Sequence, residues 1–569
     1  MLAYLDSLES DDEGHNQFQE AESLEFKNTT NDESWDDSDN ECLATKQKRL
    51  KLSKPRKNTN KKARSFKWEE INLNIREEKV ELIEEEKPTI ISEIVNRNLA
   101  PIDLFKMFFS HDLIDTICIE TKRYANQKGY HNFSVSSDDI YKYLATVLLS
   151  GYSPVPSRRC YWETRHDTNK ALVTNALSRN KFESIHRFFH LNDNSQIDRS
   201  DKIYKVRPIV NHINKVSQEC IRPLGKYFSI DEAMEPYYGR HSMKQFIRGK
   251  PIRFGFKCWC LCTSDGYLIK FDVYTGAGDK IEGKSLGSSV TEKMCLNILP
   301  QYSFVFLDNY FTPIPLVKTL SENKLFCIGT IRSDRTEKAS LKDLKKEHRG
   351  THYTIHDSAS STTLTRWHDN SQVTVISNDS ASSTTLTRWH DTSQVTVISN
   401  VQEQGLYKTK GTCRRWSKKQ KATVQVDQPS LINMYNKGMG GVDRFDQMRG
   451  LYRSRIRSKK WYWPLFRFCL DGAVTNMWYL YRRALKTQNE YISLLEFRRR
   501  IVLAILSSPP SNSNTGPKPK FLTNVLTEIR FDGKEHWIDK QETQRRCGNC
   551  GKCTKFSCLK CNVGLLPEM

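Results

Sequence analysis

The sequence lacks long apolar runs and an apolar leader. No stretch of 18 apolar residues occurs, and the opening MLAYLDSLES has no basic segment followed by a hydrophobic one. A membrane span needs about 20 apolar residues, and a secretory signal needs a charged start and an apolar core. The sequence therefore predicts an intracellular protein with no membrane partner. The hydrophobic share of 37% is below the roughly 45–50% of globular proteins, which indicates that part of the chain is unfolded.

Acidic residues are concentrated at the start of the chain and scarcer afterwards. The first 43 residues hold 14 Asp and Glu against a single Lys, a net charge of −13, so the rest of the chain carries +34 within the overall +21. A folded body with this excess of Lys and Arg is expected to bind a polyanion, and nucleic acid is the commonest one inside a cell. A charge excess that only keeps the protein soluble is the alternative.

The basic segment 44–68 contains 11 Lys and Arg and no acidic residue. Such a run is typical of a nuclear-import signal or of a non-specific DNA-binding arm, and a solvated linker is the alternative. We predict a nuclear protein. Its first 95 residues are predicted to be disordered, because acidic, basic and Glu-rich blocks follow one another there without a sustained apolar period.

Apolar spacing changes along the chain from a helical to a strand period. Residues 96–226 repeat apolar side chains at three and four positions, as in SSDDIYKYLATVLLSGY, whose first Ser and Asp residues are candidate caps. From Tyr227 the period becomes two in KYFSIDEAM, FGFKCWCLC and QYSFVFLD, with a turn at Ser264, Asp265 and Gly266. Helical spacing reappears at VTEKMCLNILP and over residues 431–505. The sequence therefore predicts a mixed α/β fold.

Residues 357–378 recur almost unchanged as residues 379–400. The two copies differ only at Asn370 and Thr392. Two copies are too few for a solenoid, which needs about three. We interpret the repeat as a recent tandem duplication, or as an assembly error in the source sequence, within a hairpin-like surface segment that tolerates insertion.

Three acidic positions stand out by their settings. Asp231 lies within an alternating strand, Asp308 ends the strand FVFLD, and Asp443 begins a helix after a run of glycines, with Asp446 close behind. Carboxylates at strand ends and a helix start can converge, and a pair of Mg²⁺ ions about 3.5–4 Å apart requires such a cluster. Bound there, Mg²⁺ would activate a water or a 3′ hydroxyl for in-line displacement at a phosphodiester. Each Asp taken alone is more often a turn, cap or surface residue.

The segment GDKIEGKS, residues 278–285, matches the spacing of a phosphate-binding loop. Such a loop presents bare backbone N–H groups to phosphate oxygens. Asp279 and Glu282 would repel those oxygens, and LGSS follows where the helix should start. We therefore interpret this segment as a surface loop and predict no nucleotide cofactor.

Lys and Arg are dense beside the last candidate carboxylates, where they are interleaved with Tyr, Trp and Phe. Cations neutralise phosphates and aromatic rings stack on bases, so this stretch is predicted to contact DNA. A helix with a solvated basic face and a Trp face in the core is the alternative. The basic residues concerned are Arg444, Arg449, Arg453, Arg455, Arg457, Lys459, Lys460 and Arg467.

Five of the 16 cysteines lie in the last 23 residues. The other eleven are scattered and are expected to be reduced core residues. Cys547 with Cys550, and Cys558 with Cys561, form two C-x-x-C pairs separated by seven residues. Paired motifs of this kind predict one tetrahedral zinc site, with Cys553 as a spare or substitute ligand. Unliganded cysteines in a frayed end are the alternative.

Six motifs in order resemble the piggyBac transposase family and its domesticated derivatives. They are SIDEAM, RGKPIRFGFK, FVFLDNYFTPIPLV, GTIRSDR, YNKGMGGVDRFDQMR and RCGNC…CLKCNV, and the resemblance extends over residues 97–561. It implies an RNase H-like catalytic core with a β-rich insertion, flanked by an all-α domain for DNA binding and dimerisation and followed by a small Cys-rich zinc module.

The resemblance also implies a reaction and its residues. Asp231, Asp308 and Asp443 are similar to the family's catalytic carboxylates, which hold Mg²⁺, and Asp446 resembles an additional acid. The implied reaction is Mg²⁺-dependent, cut-and-paste DNA strand cleavage and transfer at TTAA targets. Double-stranded DNA is then the partner, and a homodimer is expected. DNA contacts are implied for basic residues within the matching motifs: Lys250, Arg253, Arg332 and Arg449.

Two features depart from the family's pattern. The Cys-rich end reads LLPEM where the family usually continues with LC, further Cys and a terminal His, and the duplication enlarges the insertion. All four acids are present. The first hypothesis is therefore a piggyBac-type transposase, impaired in end recognition. The alternatives are a domesticated nuclear DNA-binding protein without transposition activity, and an adaptor acting through its acidic tail.

The expected domains follow from these motifs. They are a disordered arm (1–95), a first helical part (96–226), the catalytic core (227–330 and 431–456), the insertion (331–430), a second helical part (457–505), a linker (506–545) and a truncated Cys-rich module (546–569).

Overall fold

The structure is a computed structural model of the chain. It describes residues 67–70, 88–165, 170–248, 250–276, 281–336, 339–344, 347–357, 362–368, 394–399, 409–417, 420–508, 536–547, 552–560 and 563–565. Most of the predicted disordered arm and of the predicted linker therefore lies outside the described residues. Where they are described, the prediction is wrong: Glu69–Glu70 is a strand and Thr89–Asn96 a helix within or at the end of the arm, and the strand Ile538–Arg546 begins within the linker. The chain divides into two compact units, and each of them is assembled from separate stretches of sequence.

The first unit comprises Met1–Ala100, Asp198–Leu451 and Lys459–Ile492, and its described part carries a ten-stranded sheet. The strands of the sheet are β1 (Glu69–Glu70), β2 (Tyr227–Pro236), β3 (Gln245–Phe246), β4 (Phe254–Thr263), β5 (Leu268–Val273), β6 (Phe304–Leu307), β7 (Phe326–Thr330), β8 (His352–Asp357), β9 (Thr362–His368) and β10 (Gln394–Ser399). A separate hairpin is formed by β11 (Thr409–Ser417) and β12 (Ala422–Pro429).

The centre of the sheet combines antiparallel and parallel pairs. The order is β1-β8-β9-β10-β7-β6-β2-β4-β3, and β5 also pairs with β4. Strand β4 is antiparallel to β2 and β5, whereas β2, β6 and β7 run parallel. The predicted turn between β4 and β5 is confirmed, because Gly266 takes the positive φ of 105° that favours glycine.

The insertion extends this sheet instead of standing apart from it. Strand β9 comes from the first copy of the repeat and β10 from the second, and the two pair antiparallel. Strand β10 also pairs antiparallel with β7. Strands β8 to β12 all lie within residues 331–430, and residues 369–393 between β9 and β10 lie outside the described part of the chain.

Helices pack on the sheet within the first unit. They are α1 (Thr89–Asn96), α7 (Arg207–Cys220), α8 (Leu286–Cys295), α9 (Ile314–Glu322), α10 (Ser430–Met439), α11 (Gly441–Leu451) and α12 (Trp463–Lys486). Helix α7 contacts β5, and α12 contacts α7, α11 and β2. Both helices thus group with the sheet, although the sequence assigned them to a separate helical domain.

The long helix α12 is held to the sheet by a buried amide. Asn476 Nδ2 donates to the carbonyl of Leu268 at 2.7 Å, and Asn476 Oδ1 accepts from the Leu268 N–H at 2.8 Å. These bonds satisfy the edge of β5 inside the protein, where an unpaired backbone group would be costly. Helix α12 is 24 residues long. Even so, none of the helices described in the structure combines the length and apolar character needed to cross a membrane.

The second unit comprises Pro101–Ile197, Tyr452–Ser458 and Ser493–Met569. Its helices are α2 (Pro101–Phe108), α3 (His111–Gln127), α4 (Ser137–Tyr152), α5 (Ala171–Ala176), α6 (Arg179–Phe188) and α13 (Leu494–Leu506), and a hairpin follows, β13 (Ile538–Arg546) with β14 (Cys553–Cys558). The predicted caps of α4 are confirmed. The Ser136 hydroxyl accepts from the Asp139 N–H at 3.2 Å, and the Asp139 carboxylate accepts from the Ser136 N–H at 2.9 Å.

Candidate active site

Asp231 and Asp308 lie at the same level on neighbouring parallel strands. The pairing of β2 with β6 aligns Ile230 with Leu307, so the next residue along each chain is one of these two aspartates. Neighbouring strands are about 4.7–4.9 Å apart. The structure therefore brings together the two strand-associated carboxylates that the sequence singled out.

Asp443 comes close to these strands because glycines let its helix approach them. Helix α11 contacts β2 and β4, and α10 contacts β6. A Cβ atom on Gly441 would lie 2.3 Å from the carbonyl oxygen of Thr263, and one on Gly438 would lie 2.2 Å from the ring of Phe306. Any side chain at either position would push its helix off the sheet. Gly438 and Gly441 of the GMGGVD motif thus set the position of Asp443.

Burial raises the pKa of all three carboxyl groups. At Asp231 burial is the largest cause, the carboxylates of Glu232 and Asp443 add to it, and Lys250 opposes it, so the pKa rises to about 8. Burial likewise raises the pKa of Asp308 and of Asp443. Negative charges confined away from water repel one another, and a bound cation relieves that repulsion.

Glu232 and Lys257 belong to this site, and the sequence reasoning missed them as functional residues. Glu232 Oε1 lies 3.6 Å from Lys250 Nζ, and Glu232 Oε2 lies 3.8 Å from Lys257 Nζ. The Lys257 ammonium also lies 3.9 Å from the centroid of the Trp259 ring. Burial lowers the pKa of Lys257. The available signal was a charged residue within the otherwise apolar strand FGFKCWCLC, two positions from an aromatic one.

Arg449 and Asp446 have surroundings that the sequence did not predict. Arg449 is fully buried. Its Nη1 donates to Glu235 Oε2 and its Nη2 to Asp446 Oδ1, both at 2.5 Å. Arg467 Nη2 also donates to Glu235, at 3.2 Å. The expected DNA contact of Arg449 does not fit this conformation, because its charge is satisfied by carboxylates inside the protein and no part of it faces solvent.

The remaining predicted DNA contacts differ in exposure. The exposed side chains are Arg253, Arg332 and Lys459 in the first unit, and Arg455 and Arg457 in the second. The partly buried ones are Lys250, Arg444, Arg453, Lys460 and Arg467. Arg332 stands beside the candidate carboxylates, since its Nε donates to the Asn309 side chain at 3.1 Å.

The donor set has the chemistry that Mg²⁺ requires. Hard carboxylate oxygens are the ligands this ion prefers, and three of them come from Asp231, Asp308 and Asp443. In the described part of the chain, however, no three His, Cys, Asp or Glu side chains converge closely enough to hold one ion. The aspartates therefore suit the metal in type, and their side chains would have to move closer together around it.

The predicted zinc cysteines are only partly described. Cys547 and Cys558 are buried, whereas Cys553 is exposed. Buried thiolates suit a structural zinc ion, which takes four N or S ligands in a closed site. Cys550 and Cys561 lie outside the described residues.

A histidine accompanies this cluster, and the sequence reasoning did not consider it. His536 Nδ1 lies 3.4 Å from the Sγ atom of Cys558. The carbonyl of Trp537 accepts from the Leu559 N–H at 2.9 Å, which holds the start of β13 against the end of β14. The two C-x-x-C pairs already supply four ligands, so the spacing rules do not call for this histidine, which precedes Cys547 in the chain.

The segment that resembles a phosphate-binding loop has another structural role. Lys284 Nζ lies 2.6 Å from Glu292 Oε2, so the lysine that such a loop would use for phosphate is engaged in an ion pair. Helix α8 begins at Leu286, with the Ser285 hydroxyl accepting from the Ser288 N–H at 3.2 Å. A helix therefore does follow the loop, contrary to the sequence expectation. Residues 277–280 are not among the described residues.

Comparisons with known proteins identify relatives of the chain. The family model described as Transposase IS4 matches residues 100–478. The chain is 37% identical over 480 residues to the Homo sapiens PiggyBac transposable element-derived protein 3, a match covering 82% of this chain and 74% of that protein. It is 35% identical over 469 residues to the Homo sapiens PiggyBac transposable element-derived protein 2, covering 81% and 74%.

A solved structure shares the fold. The chain matches the cryo-EM structure of a piggyBac transposase synaptic complex with hairpin DNA with a TM-score of 0.61 and 19% sequence identity. The match covers 82% of this chain and 97% of the solved one. It confirms a mixed α/β fold of the same type.

Proposed function

Because the chain belongs to the piggyBac family of transposases and transposase-derived proteins, we propose that it cleaves and transfers DNA strands in a metal-dependent reaction. Asp231, Asp308 and Asp443 are the proposed catalytic carboxylates. The proposed substrate is double-stranded DNA, cut and pasted at TTAA-type targets by a homodimer. The DNA complex of the structural relative supports a DNA partner.

An RNase H-like core is part of this proposal, and the strand order supports it. Three antiparallel strands, β5, β4 and β2, are followed across the sheet by the parallel strands β6 and β7. The three acids lie within the central strand β2, directly after β6 and on the later helix α11, which contacts β2. This is the arrangement that the family resemblance implies.

The observation that carries the proposal is that the two strands and the helix that bear the three acids are neighbours. Asp231 and Asp308 occupy equivalent positions on paired strands, and Asp443 lies on a helix that glycine contacts hold against the sheet. Three neighbouring carboxyl groups with raised pKa values are unfavourable for folding without a compensating function. A cation site for phosphoryl transfer explains why they are kept together.

The chain's own residues would hold and orient the reactants. The three aspartates would bind Mg²⁺, which when bound activates an oxygen nucleophile and stabilises the leaving oxygen. Lys250, paired with Glu232 at 3.6 Å, would keep the carboxylate cluster ordered and neutralise a nearby phosphate. Exposed Arg332 and Arg253 would hold the DNA backbone beside the site.

A donor-plasmid excision assay in Mg²⁺ tests the function. The donor plasmids carry TTAA-flanked terminal repeats taken from the genomic DNA on either side of the coding sequence. Wild type is compared with Asp308→Asn and with a control, Asp334→Asn, which changes an exposed acid. We expect excision by the wild type and the control and none by Asp308→Asn. If the wild type excises no donor more efficiently than Asp308→Asn does, the proposed DNA-cleavage activity is wrong.

A second candidate is a domesticated nuclear DNA-binding protein without transposition activity. It is favoured by the observation that, among the residues described, no three His, Cys, Asp or Glu side chains are close enough together to hold a metal ion. In that case wild type and Asp308→Asn would bind terminal-repeat DNA equally well and neither would cut it. Binding and excision assays on the same two proteins therefore separate the candidates.

Zinc binding by the Cys-rich module is also a proposal. Its ligands would be Cys547, Cys550, Cys558 and Cys561, with Cys553 as a substitute. Metal analysis of the purified full-length chain tests it, with Cys558→Ser and the exposed Cys553→Ser as a matched pair. We expect about one Zn²⁺ per chain, lost in the first variant and kept in the second. Zinc-free wild-type protein would contradict the site.

Nuclear localisation is proposed from the basic segment 44–68. A fluorescent fusion of the full chain is expected in the nucleus, and one lacking this segment outside it. A fusion that remains nuclear without residues 44–68 would refute this segment as the import signal.

A further inference from the structure

Residues 236–257 have a composition that sets them apart. They contain six Lys and Arg and no Asp or Glu. Arg240, Arg248 and Arg253 are exposed. Three aromatic rings are exposed among these cations, Tyr238 at 81%, Phe246 at 59% and Phe254 at 41%, and the two Phe rings carry no polar group of their own. Phe is among the residues that proteins most often bury, so a pair left in water between positive charges needs an explanation.

The two rings form a pair on adjacent strands. Phe246 of β3 is directly opposite Phe254 of β4 in the antiparallel register. Their centroids are 4.8 Å apart with 35° between the ring planes, and the Lys244 ammonium lies 5.8 Å from the Phe254 centroid. We call this feature the Phe246–Phe254 platform. Its flat apolar rings and surrounding cations complement a ligand that combines planar rings with negative charge.

The platform is connected to the candidate active site by strand β4 and by the loop before it. Lys250, between Phe246 and Phe254 in sequence, reaches Glu232 at 3.6 Å. Along β4, Phe254 lies six residues before Cys260, which is the partner of Asp231. Six residues of a strand span about 20 Å, which equals the rise of about six base pairs. A DNA strand held at the aspartates is therefore long enough to reach the platform.

We propose that the Phe246–Phe254 platform stacks unpaired bases of the DNA strand that is held at the candidate active site. This inference rests on the proposed function, since it takes DNA as the ligand. Aromatic side chains stack on the faces of bases, which are available in a single strand, whereas the bases of an intact duplex already stack on one another. Cations alone would suffice for duplex phosphates, and the exposed rings would then have no ligand.

The test measures single-strand and duplex binding by the full-length protein without metal, so that no cleavage intervenes. Fluorescence anisotropy is recorded with a 20-nucleotide single strand and with the blunt duplex of the same sequence. The variants are Phe246→Ala/Phe254→Ala, Phe246→Tyr/Phe254→Tyr, and the control Tyr491→Ala, at an exposed ring 64% accessible that lies next to Glu490. Melting temperatures are compared to show that each variant is folded.

The alanine pair is expected to weaken single-strand binding about tenfold and to change duplex binding by less than about twofold. The tyrosine pair, which keeps the rings, and Tyr491→Ala are expected to bind as wild type does. A strand containing 2-aminopurine should show fluorescence quenching with wild type that disappears with the alanine pair. That readout reports base stacking and does not depend on charge.

Unchanged single-strand binding by the alanine pair, or equal loss for both DNA forms, would overturn the proposal. Failure of the proposed function looks different. A chain that never excises a donor but shows the expected single-strand pattern has a platform without a transposase reaction. A chain that excises donors in an Asp308-dependent manner with no effect of the alanine pair has the reaction without the platform.

Discussion

Arg449 and Glu235 form an ion pair with no exposed surface, in which Nη1 lies 2.5 Å from Oε2. Arg449 is on helix α11, which carries Asp443, and Glu235 is on strand β2, which carries Asp231. The pair therefore fixes the helix and the strand that bring two candidate catalytic acids together.

Removing one partner of this pair should lower the stability of the folded protein. Breaking a buried ion pair leaves an uncompensated charge, so Glu235→Ala is expected to lower the free energy of unfolding by about 3–5 kcal/mol. Glu219→Ala is the control, because Glu219 forms an exposed pair with Lys215 and should change stability by less than about 1 kcal/mol. Urea unfolding measures both. Equal effects of the two substitutions would contradict the structural role of the buried pair.

Asp446 and Asp443 should differ in their importance for catalysis. Arg449 engages the Asp446 carboxylate at 2.5 Å, so Asp446 supports the site through another residue. Asp446→Asn is expected to reduce excision about 10–100-fold, whereas Asp443→Asn should abolish it. The excision assay compares the two directly. Complete loss in both variants would make Asp446 a catalytic acid in its own right.

The glycines before Asp443 offer a matched test of helix position. A Cβ at Gly441 would clash with the Thr263 carbonyl, whereas one at Gly440 has nothing within 4 Å. Gly441→Ala is expected to destabilise the protein by about 1–3 kcal/mol and to abolish excision. Gly440→Ala should preserve activity and raise the free energy of unfolding by no more than about 1 kcal/mol. Thermal unfolding and excision by both variants check this, and an active Gly441→Ala would contradict the close-packing argument.

Metal binding should strengthen as the pH rises. Burial and the neighbouring carboxylates raise the pKa of Asp231 to about 8 from its ordinary value of 3.8. In the metal-free protein this group favours the folded state below pH 4, and that contribution is lost as the pH rises through about 8. Mg²⁺ must displace the proton, so the rise in melting temperature on adding Mg²⁺ should be larger at pH 8.5 than at pH 6.5.

Asp231→Asn is the control for that pH dependence. It cannot ionise, so its metal-free stability should vary less between pH 6.5 and 8.5, and Mg²⁺ should stabilise it little at either pH. A Mg²⁺ effect of the same size at both pH values in the wild type would argue against proton displacement at Asp231.

One copy of the repeat should be dispensable. Strand β9 from the first copy already pairs with β10 from the second, so deleting residues 371–392 leaves both strands joined by Asp369, Asn370 and Ser393. A shorter loop costs less entropy to close, and we expect stability to be unchanged or increased by up to about 2 kcal/mol.

Deletion of both copies, residues 357–400, is the comparison for that experiment. It removes β9 and β10 and leaves the edge of β7 unpaired, which should destabilise the sheet. Urea unfolding of the two deletions distinguishes them. A single-copy deletion as harmful as the double one would mean that the second copy contributes contacts of its own.

The sequence predicted the elements whose signals are local. Alternation gave β2, β4 and β6, and the cap at Ser136 and the turn at Gly266 were visible from residue type. Asp231 and Asp308 could be proposed as site residues because the apolar residues next to them in sequence already indicate a strand.

Features that depend on distant partners could not be predicted in this way. Nothing around Arg449 in sequence indicates that Glu235, far earlier in the chain, would neutralise it. For the same reason the sequence did not indicate a role for Lys257, which depends on its contact with Glu232 on the neighbouring strand. Nor did the sequence indicate the grouping of α7 and α12 with the strands, because amphipathic spacing shows that a helix has a buried face but not what covers it.

The antiparallel pairing of β10 with β7 has a consequence for how the molecule unfolds. Ile398 pairs with Gly329, which pairs in turn with Leu307, the neighbour of Asp308. Backbone hydrogen bonds therefore run without a break from the duplicated segment to the candidate catalytic strand. Amide hydrogens of β10 should exchange with solvent as slowly as those of β6, since the two open in one cooperative event. The strands of the insertion then contribute to the stability of the sheet that carries Asp231 and Asp308. Changes in the length of the insertion should be tolerated in the connection between β9 and β10, and not within the two strands.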